Sequence, residues 1–145
     1  MKGFSDSADE VLPNLWISSA TFVKDIGWLQ THAITGVVNC ADLSTALDPE
    51  IYEEAKINYL CLGVTDVAKS KHVLAEKISS ALEFIDKQDK AIVNCAAGVS
   101  RSATVVLAWL MSRGAMTLRQ AFIYLRSKRK FVYPNQGFWE FLIGL

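Results

Sequence analysis

The chain predicts an α/β domain with a largely parallel central sheet flanked by helices, and three observations carry that prediction. Short apolar runs alternate with longer amphipathic ones, as strand and helix do in layered α/β folds. The length, 145 residues, suits one domain and is too short for two of ordinary size. No block repeats and no stretch rich in Pro, Gly or Ser divides the chain, so a single unit over residues 1–145 is expected.

Residues 15–18, 36–40, 57–62 and 91–95 read as buried strands, because each is a short apolar run with β-branched or aromatic content. Residues 21–30 and 72–87 carry apolar side chains three and four apart, as helices packed on a sheet do. In the second helix these are Val73, Leu74, Ile78, Ala81, Leu82 and Ile85. Three helices then follow without a further strand, at 102–112, 117–128 and 135–142. Gly114 suits the end of the first, Thr117 a cap for the second, and Pro134-Asn135 a stop followed by a cap for the third.

Fifteen Lys and Arg balance fifteen Asp and Glu, so no overall field draws the molecule to nucleic acid or an anionic membrane; any anion must be caught locally. Hydrophobic residues make up 51% of the chain, enough for a sizeable core. The longest apolar run, residues 103–111, is about half of the ~20 residues needed to cross a bilayer. No charged-then-apolar leader opens the sequence, position 2 is Lys where myristoylation needs Gly, and no prenylation Cys closes it. The expectation is a soluble monomer of the cytoplasm with access to the nucleus. Three cysteines, Cys40, Cys61 and Cys95, are an odd number and suggest free thiols in a reducing compartment.

The chemistry is concentrated in Val93-Asn94-Cys95-Ala96-Ala97-Gly98-Val99-Ser100-Arg101-Ser102, a strand that ends on Cys and passes through a small-residue loop into a helix. In such a loop, backbone N–H groups can turn inward as a nest, and the helix N-terminus behind them adds partial positive charge. Ala96, Ala97, Gly98, Val99 and Ser100 are expected to bind a tetrahedral dianion through main chain, with Ala96, Ala97 and Gly98 keeping side chains out of the cup. Arg101, in the first helical turn, can fork its guanidinium onto two oxygens. The same cup favours a thiolate on Cys95, which makes that residue a nucleophile. Ser102 can donate its hydroxyl to the sulfur when the thiolate leaves.

At these residues the sequence resembles the cysteine-dependent protein tyrosine phosphatase superfamily, and more closely its small, atypical dual-specificity branch. The resemblance extends to Asn14-Leu15-Trp16-Ile17, to Val37-Val38-Asn39-Cys40-Ala41 and to Tyr133-Pro134-Asn135-Gln136-Gly137-Phe138, covering about residues 11–145. It implies hydrolysis of phosphotyrosine and phosphoserine/phosphothreonine on proteins, a phosphocysteine intermediate, no metal and no organic cofactor. It also implies an acid some thirty residues before the nucleophile, a place that Asp66 in Leu62-Gly63-Val64-Thr65-Asp66 matches. An alkoxide or phenoxide leaves poorly, so an acid must protonate it as the P–O bond breaks. Asp42 also follows a strand but matches no catalytic place and is expected to be a turn residue.

The sequence departs from this family directly before the nucleophile, where Asn94 stands in place of His. A neutral amide supports the loop without carrying charge, so more thiol is expected at neutral pH, and with it an active but handicapped enzyme whose pH profile has its alkaline side shifted upward relative to an Asn94→His variant. The alternative is a catalytically weak pseudophosphatase that binds phosphorylated partners. The loop interior has no Lys or His to meet the further phosphates of inositol lipids, which favours protein substrates. The basic cluster Arg126, Lys128, Arg129 and Lys130 is expected to be a solvated helix end. His32 and His72 lack partners at metal-ligand spacing, and Trp28, Trp109 and Trp139 are expected in core or groove. Cys40 and Cys61 are expected to be inert, unless the fold puts one beside Cys95 as a redox partner.

Overall fold

The computed structural model describes residues 6–145; Lys2 lies outside the described residues. Five strands form one sheet in the order β1-β2-β5-β3-β4, with β1 at Ala8–Leu12, β2 at Leu15–Ser18, β3 at Gly36–Asn39, β4 at Asn58–Cys61 and β5 at Ala91–Asn94. β2, β5, β3 and β4 run parallel, as expected. β1 was not legible as a strand. It pairs antiparallel with β2 across the Pro13-Asn14 turn, and its register slips between Glu10 and Leu12. Asp9 and Glu10 interrupt its apolar character, which an edge strand tolerates because one of its sides has no strand to meet.

Alternate residues of the strands feed two cores. Ile17, Val38 and Val93 face one side, where they pack with α4 (Lys71–Asp86), α5 (Arg101–Arg113), α6 (Leu118–Lys128) and α7 (Gln136–Ile143). Val37 and Ile92 face the other, under α1 (Ala20–Val23), α2 (Ile26–Thr31) and α3 (Pro49–Glu54). The period of two in an extended chain produces this division. α5 is buried from Ser102 to Ala108 and again at Leu110. Each fully buried Leu, such as Leu107 or Leu110, contributes about 1.5–3 kcal/mol of transfer free energy.

The helix from 21 to 30 expected as one piece is two. Asp25 stops α1 and caps α2, its Oδ1 accepting the Trp28 N–H at 3.0 Å, a local bond that competes with helix continuation. α3 was not anticipated; Pro49 starts it and Tyr52 buries its inner face. The later caps fall where the residue types pointed. Thr117 and Gln120 form a reciprocal capping box on α6, and Asn135 Oδ1 accepts the Phe138 N–H at the head of α7.

Candidate active site

β5 lies in the middle of the sheet between β2 and β3, so Cys95 emerges at the sheet's C-terminal edge, where open parallel sheets bind ligands. Cys95 is 2% exposed and lies at the floor of the loop that follows, with Ala96 and Ala97 exposed above it. Its Sγ accepts the Gly98 N–H at 3.2 Å and stands 3.2 Å from Ser102 Oγ.

Four successive carbonyls of this loop are fastened on its outer side. Ala96 O accepts from the Ala20 N–H at 3.1 Å and Val99 O from the Tyr133 N–H at 2.8 Å. Between them, Ala97 O accepts from Arg129 Nη2 at 3.1 Å and Gly98 O from Arg129 Nε at 2.9 Å. In a trans peptide, C=O and the following N–H point in opposite directions. With no cis bond in the described chain, the N–H groups of Ala97, Gly98, Val99 and Ser100 therefore turn the other way, and Gly98 N–H is seen on the sulfur. Gly98 is required twice over. Its φ is +71°, and a Cβ there would fall 2.7 Å from both Arg129 Nη2 and Ser18 O.

Arg101 opens α5, so the positive end of that helix points at the same cup. Its Nη1 donates to Val64 O at 3.0 Å, while Nε is buried and, among the described residues, has no partner. Val64 belongs to the segment after β4 that carries Asp66. That segment is pinned by Lys77 Nζ donating to Leu62 O at 2.5 Å and by the Thr65–Ser70 hydroxyl pair at 2.6 Å. Asp66 is exposed and accepts from Asn135 Nδ2 at 2.9 Å. The Asn135 N–H donates to Ser100 Oγ at 2.9 Å. One residue thus spans the Asp66 segment and the Cys95 loop. α7 approaches the Ala68–Ser70 turn so closely that a Cβ on Gly137 would lie 1.9 Å from Ala68 O.

The structure therefore brings Cys95, Arg101, Ser102 and the loop from Ala96 to Ser100 into one cup, with Asp66 tied to it through Asn135. Asp42 sits in a turn of its own, accepting from Ser44 N–H and from the Ser44 and Thr45 hydroxyls. Asn94 is fully buried beside the cup; its Nδ2 donates to Asn39 Oδ1 at 3.4 Å, and its Oδ1 has no partner among the described residues. Cys40 N–H donates to Asn94 O, which places Cys40 next to Cys95 on the neighbouring strand, and Cys61 is one strand further out. Burial, and then the neighbouring sulfur of Cys95, push the Cys40 thiol well up, so it is protonated at neutral pH.

One expectation is overturned. Arg129 is not part of a solvated helix end. It is 1% exposed, turned inward where the chain leaves α6, while Arg126, Lys128 and Lys130 stay in solvent. Its third nitrogen donates to Ser7 O, Ser7 Oγ and Asp9 Oδ2, the last at 2.8 Å. Burial pulls the guanidinium's proton affinity below its ordinary value, and the Asp9 carboxylate offsets only part of that fall. A cluster of four basic residues within five positions gives no sign that Arg129 is internal, because its carboxylate partner, Asp9, lies in strand β1 far away in sequence.

The dual specificity phosphatase catalytic domain matches residues 15–145. The chain belongs to that family. It is 33% identical over 140 residues to human dual specificity protein phosphatase 21, covering 95% of this chain and 71% of that one. It is 34% identical over 136 residues to human dual specificity protein phosphatase 18, covering 92% and 70%. Among solved structures it superposes with a TM-score of 0.78 on a mouse protein of the dual specificity phosphatase class complexed with zinc tungstate, at 26% identity, with 99% of this chain and 89% of that one covered. As a family member the chain is a cysteine-dependent protein phosphatase, a hydrolase of phosphoric monoesters on proteins.

Proposed function

We propose that Cys95, Arg101, Asp66 and Ser102 carry out this hydrolysis in two steps, on phosphotyrosine as well as phosphoserine and phosphothreonine. In the first, Cys95 Sγ forms a bond to phosphorus as the P–O bond to the substrate breaks, and Asp66 gives its proton to the departing oxygen. The N–H groups of Ala97 to Ser100 and the Arg101 guanidinium hold the equatorial oxygens, where charge is spread in the transition state. In the second, Asp66 takes a proton from water as that water bonds to phosphorus, and the P–S bond breaks with the Ser102 hydroxyl donating to the released thiolate. These steps close with main chain and side chains alone, without metal or cofactor.

The observation that carries the reading is the convergence on Cys95 Sγ of a loop N–H and the Ser102 hydroxyl, beneath a loop whose carbonyls all face away. Arg101 Nε, without a partner among the described residues, offers a further donor, and tungstate, a tetrahedral oxyanion, is bound by the mouse relative. The absence of Lys and His within the loop supports protein phosphoresidues over inositol lipids. We further read the enzyme as a monomer of the cytoplasm with access to the nucleus; no described helix is long and apolar enough to cross a membrane. The test is hydrolysis of p-nitrophenyl phosphate and of phosphopeptides by the parent, with loss of at least ~10³-fold in Cys95→Ser, whose hydroxyl stays protonated and is a poor nucleophile. Phosphopeptide binding without turnover by the parent would instead favour the phosphopartner-binding reading.

A further inference from the structure

The four outward carbonyls of the cup are held by three elements, and only one of the holders is a side chain. Ala20 and Tyr133 act through main-chain N–H groups that any residue except Pro supplies. Arg129 alone takes the two central carbonyls, of Ala97 and Gly98, with two nitrogens of one rigid guanidinium. We propose that Arg129 is a positioning residue for phosphate recognition: without touching the substrate, it holds the two central peptides of the cup with their N–H groups inward. The inference rests on the reading of the Cys95 loop as the phosphate site.

Three features support it. Arg129 is too deeply buried to meet a substrate, so its role is inward. Its fork matches the requirement. Adjacent carbonyls at fixed separation need planar donors at fixed separation, which guanidinium has and ammonium lacks. The rest of the side chain is anchored independently, because Nη1 donates to Ser7 O, Ser7 Oγ and Asp9 Oδ2, and the guanidinium stacks 4.4 Å from the Phe131 ring centroid. The guanidinium is therefore preorganised by strand β1 and imposes its geometry on the loop. The close fit at Gly98, whose Cβ would reach 2.7 Å from Nη2, is the same contact seen from the loop's side.

The experiment compares the parent with Arg129→Met, Arg129→Lys and, as an exposed basic control, Lys128→Met. Each chain is first shown to melt cooperatively. Sodium tungstate affinity is measured by calorimetry. Alkylation of Cys95 by iodoacetate is compared with alkylation by neutral iodoacetamide, a ratio that reads the anion affinity of the cup and that a general loss of stability does not move. Arg129→Met is expected to weaken tungstate binding about tenfold or more, the scale of losing two charge-assisted hydrogen bonds, and to lower the iodoacetate preference in parallel. Lys128→Met is expected to match the parent. Should Arg129→Met fail to fold, Arg129→Lys carries the test, with a loss of about threefold or more because one ammonium cannot reproduce the fork. A folded Arg129 variant that keeps tungstate affinity and alkylation ratio within twofold of the parent overturns the proposal. The underlying site reading fails separately, if the parent binds no tungstate or if p-nitrophenyl phosphate turnover survives Cys95→Ser.

Discussion

Asn94 and Arg129 show how differently single residues reveal themselves. Asn94 was visible as a departure in the sequence, because the family places His before the nucleophile, and the structure gives that departure a physical content. The amide is fully buried, holds one long bond to Asn39 and leaves its oxygen without a partner among the described residues, so it contributes orientation and no charge. In Asn94→His an imidazolium at the sheet edge favours the thiolate. The kcat/KM profile is expected to move to lower pH and activity near pH ~6 to rise about two- to tenfold, with melting followed because the site is enclosed. Superimposable profiles from two equally folded proteins would show that position 94 does not tune the sulfur. Arg129 is legible in the sequence only as one of four cations within five positions. Its inward turn depends on the C-terminal end of α6, where the chain leaves the helical conformation at φ −145°, and on a carboxylate 120 positions away.

Elements were legible in proportion to how locally they are determined. The parallel strands and the helices α4 to α7 could be placed from apolar spacing and caps, since Thr117 and Asn135 bond within three residues of themselves. β1 could not be placed, because its stability comes from β2 and from Tyr124 Oη, which donates to Val11 O at 2.6 Å from α6. The break between α1 and α2 is hidden in the sequence because apolar periodicity runs through it, and only the Asp25 side chain capping the Trp28 N–H marks it. Between α4 and α5, Asp86 accepts from Arg113 Nε and Nη2 and from Trp109 Nε1. The Arg113 bonds, and then that of Trp109, hold the Asp86 carboxyl below its ordinary range. A carboxyl lowered by folding adds stability that is complete above its unfolded value, about 4, and is lost as pH falls through the lower folded value. Asp86→Asn is expected to cost at most about 1 kcal/mol at neutral pH, since the pair is solvent-screened. Thermal melts from pH ~7 to ~3 should show that deficit shrinking toward zero. A deficit that stays constant over the range would assign the contact to packing instead of charge.

At the scale of the whole molecule, the sheet and the two helical layers exist to set one short loop. β5 delivers Cys95, α5 turns its N-terminus and Arg101 toward it, α7 brings Asn135 between the cup and Asp66, and the end of α6 with β1 holds the loop's back. The motif residues are legible in the sequence because Cys95, Gly98 and Arg101 sit in a telling setting, a strand that ends on Cys and a small-residue loop that enters a helix. Their supports could not, because Asn135 and Arg129 reach the cup only through contacts between distant segments. The central claim is that the sulfur itself takes the phosphoryl group. Rapid acid quench of the parent during turnover of p-nitrophenyl phosphate, followed by peptide mass spectrometry, tests it most directly. The phosphoryl group is expected on the peptide carrying Cys95, and to accumulate in Asp66→Asn, which cannot activate water. Undiminished turnover with no phosphorylated cysteine in either protein, or turnover that persists in Cys95→Ser, would contradict the account.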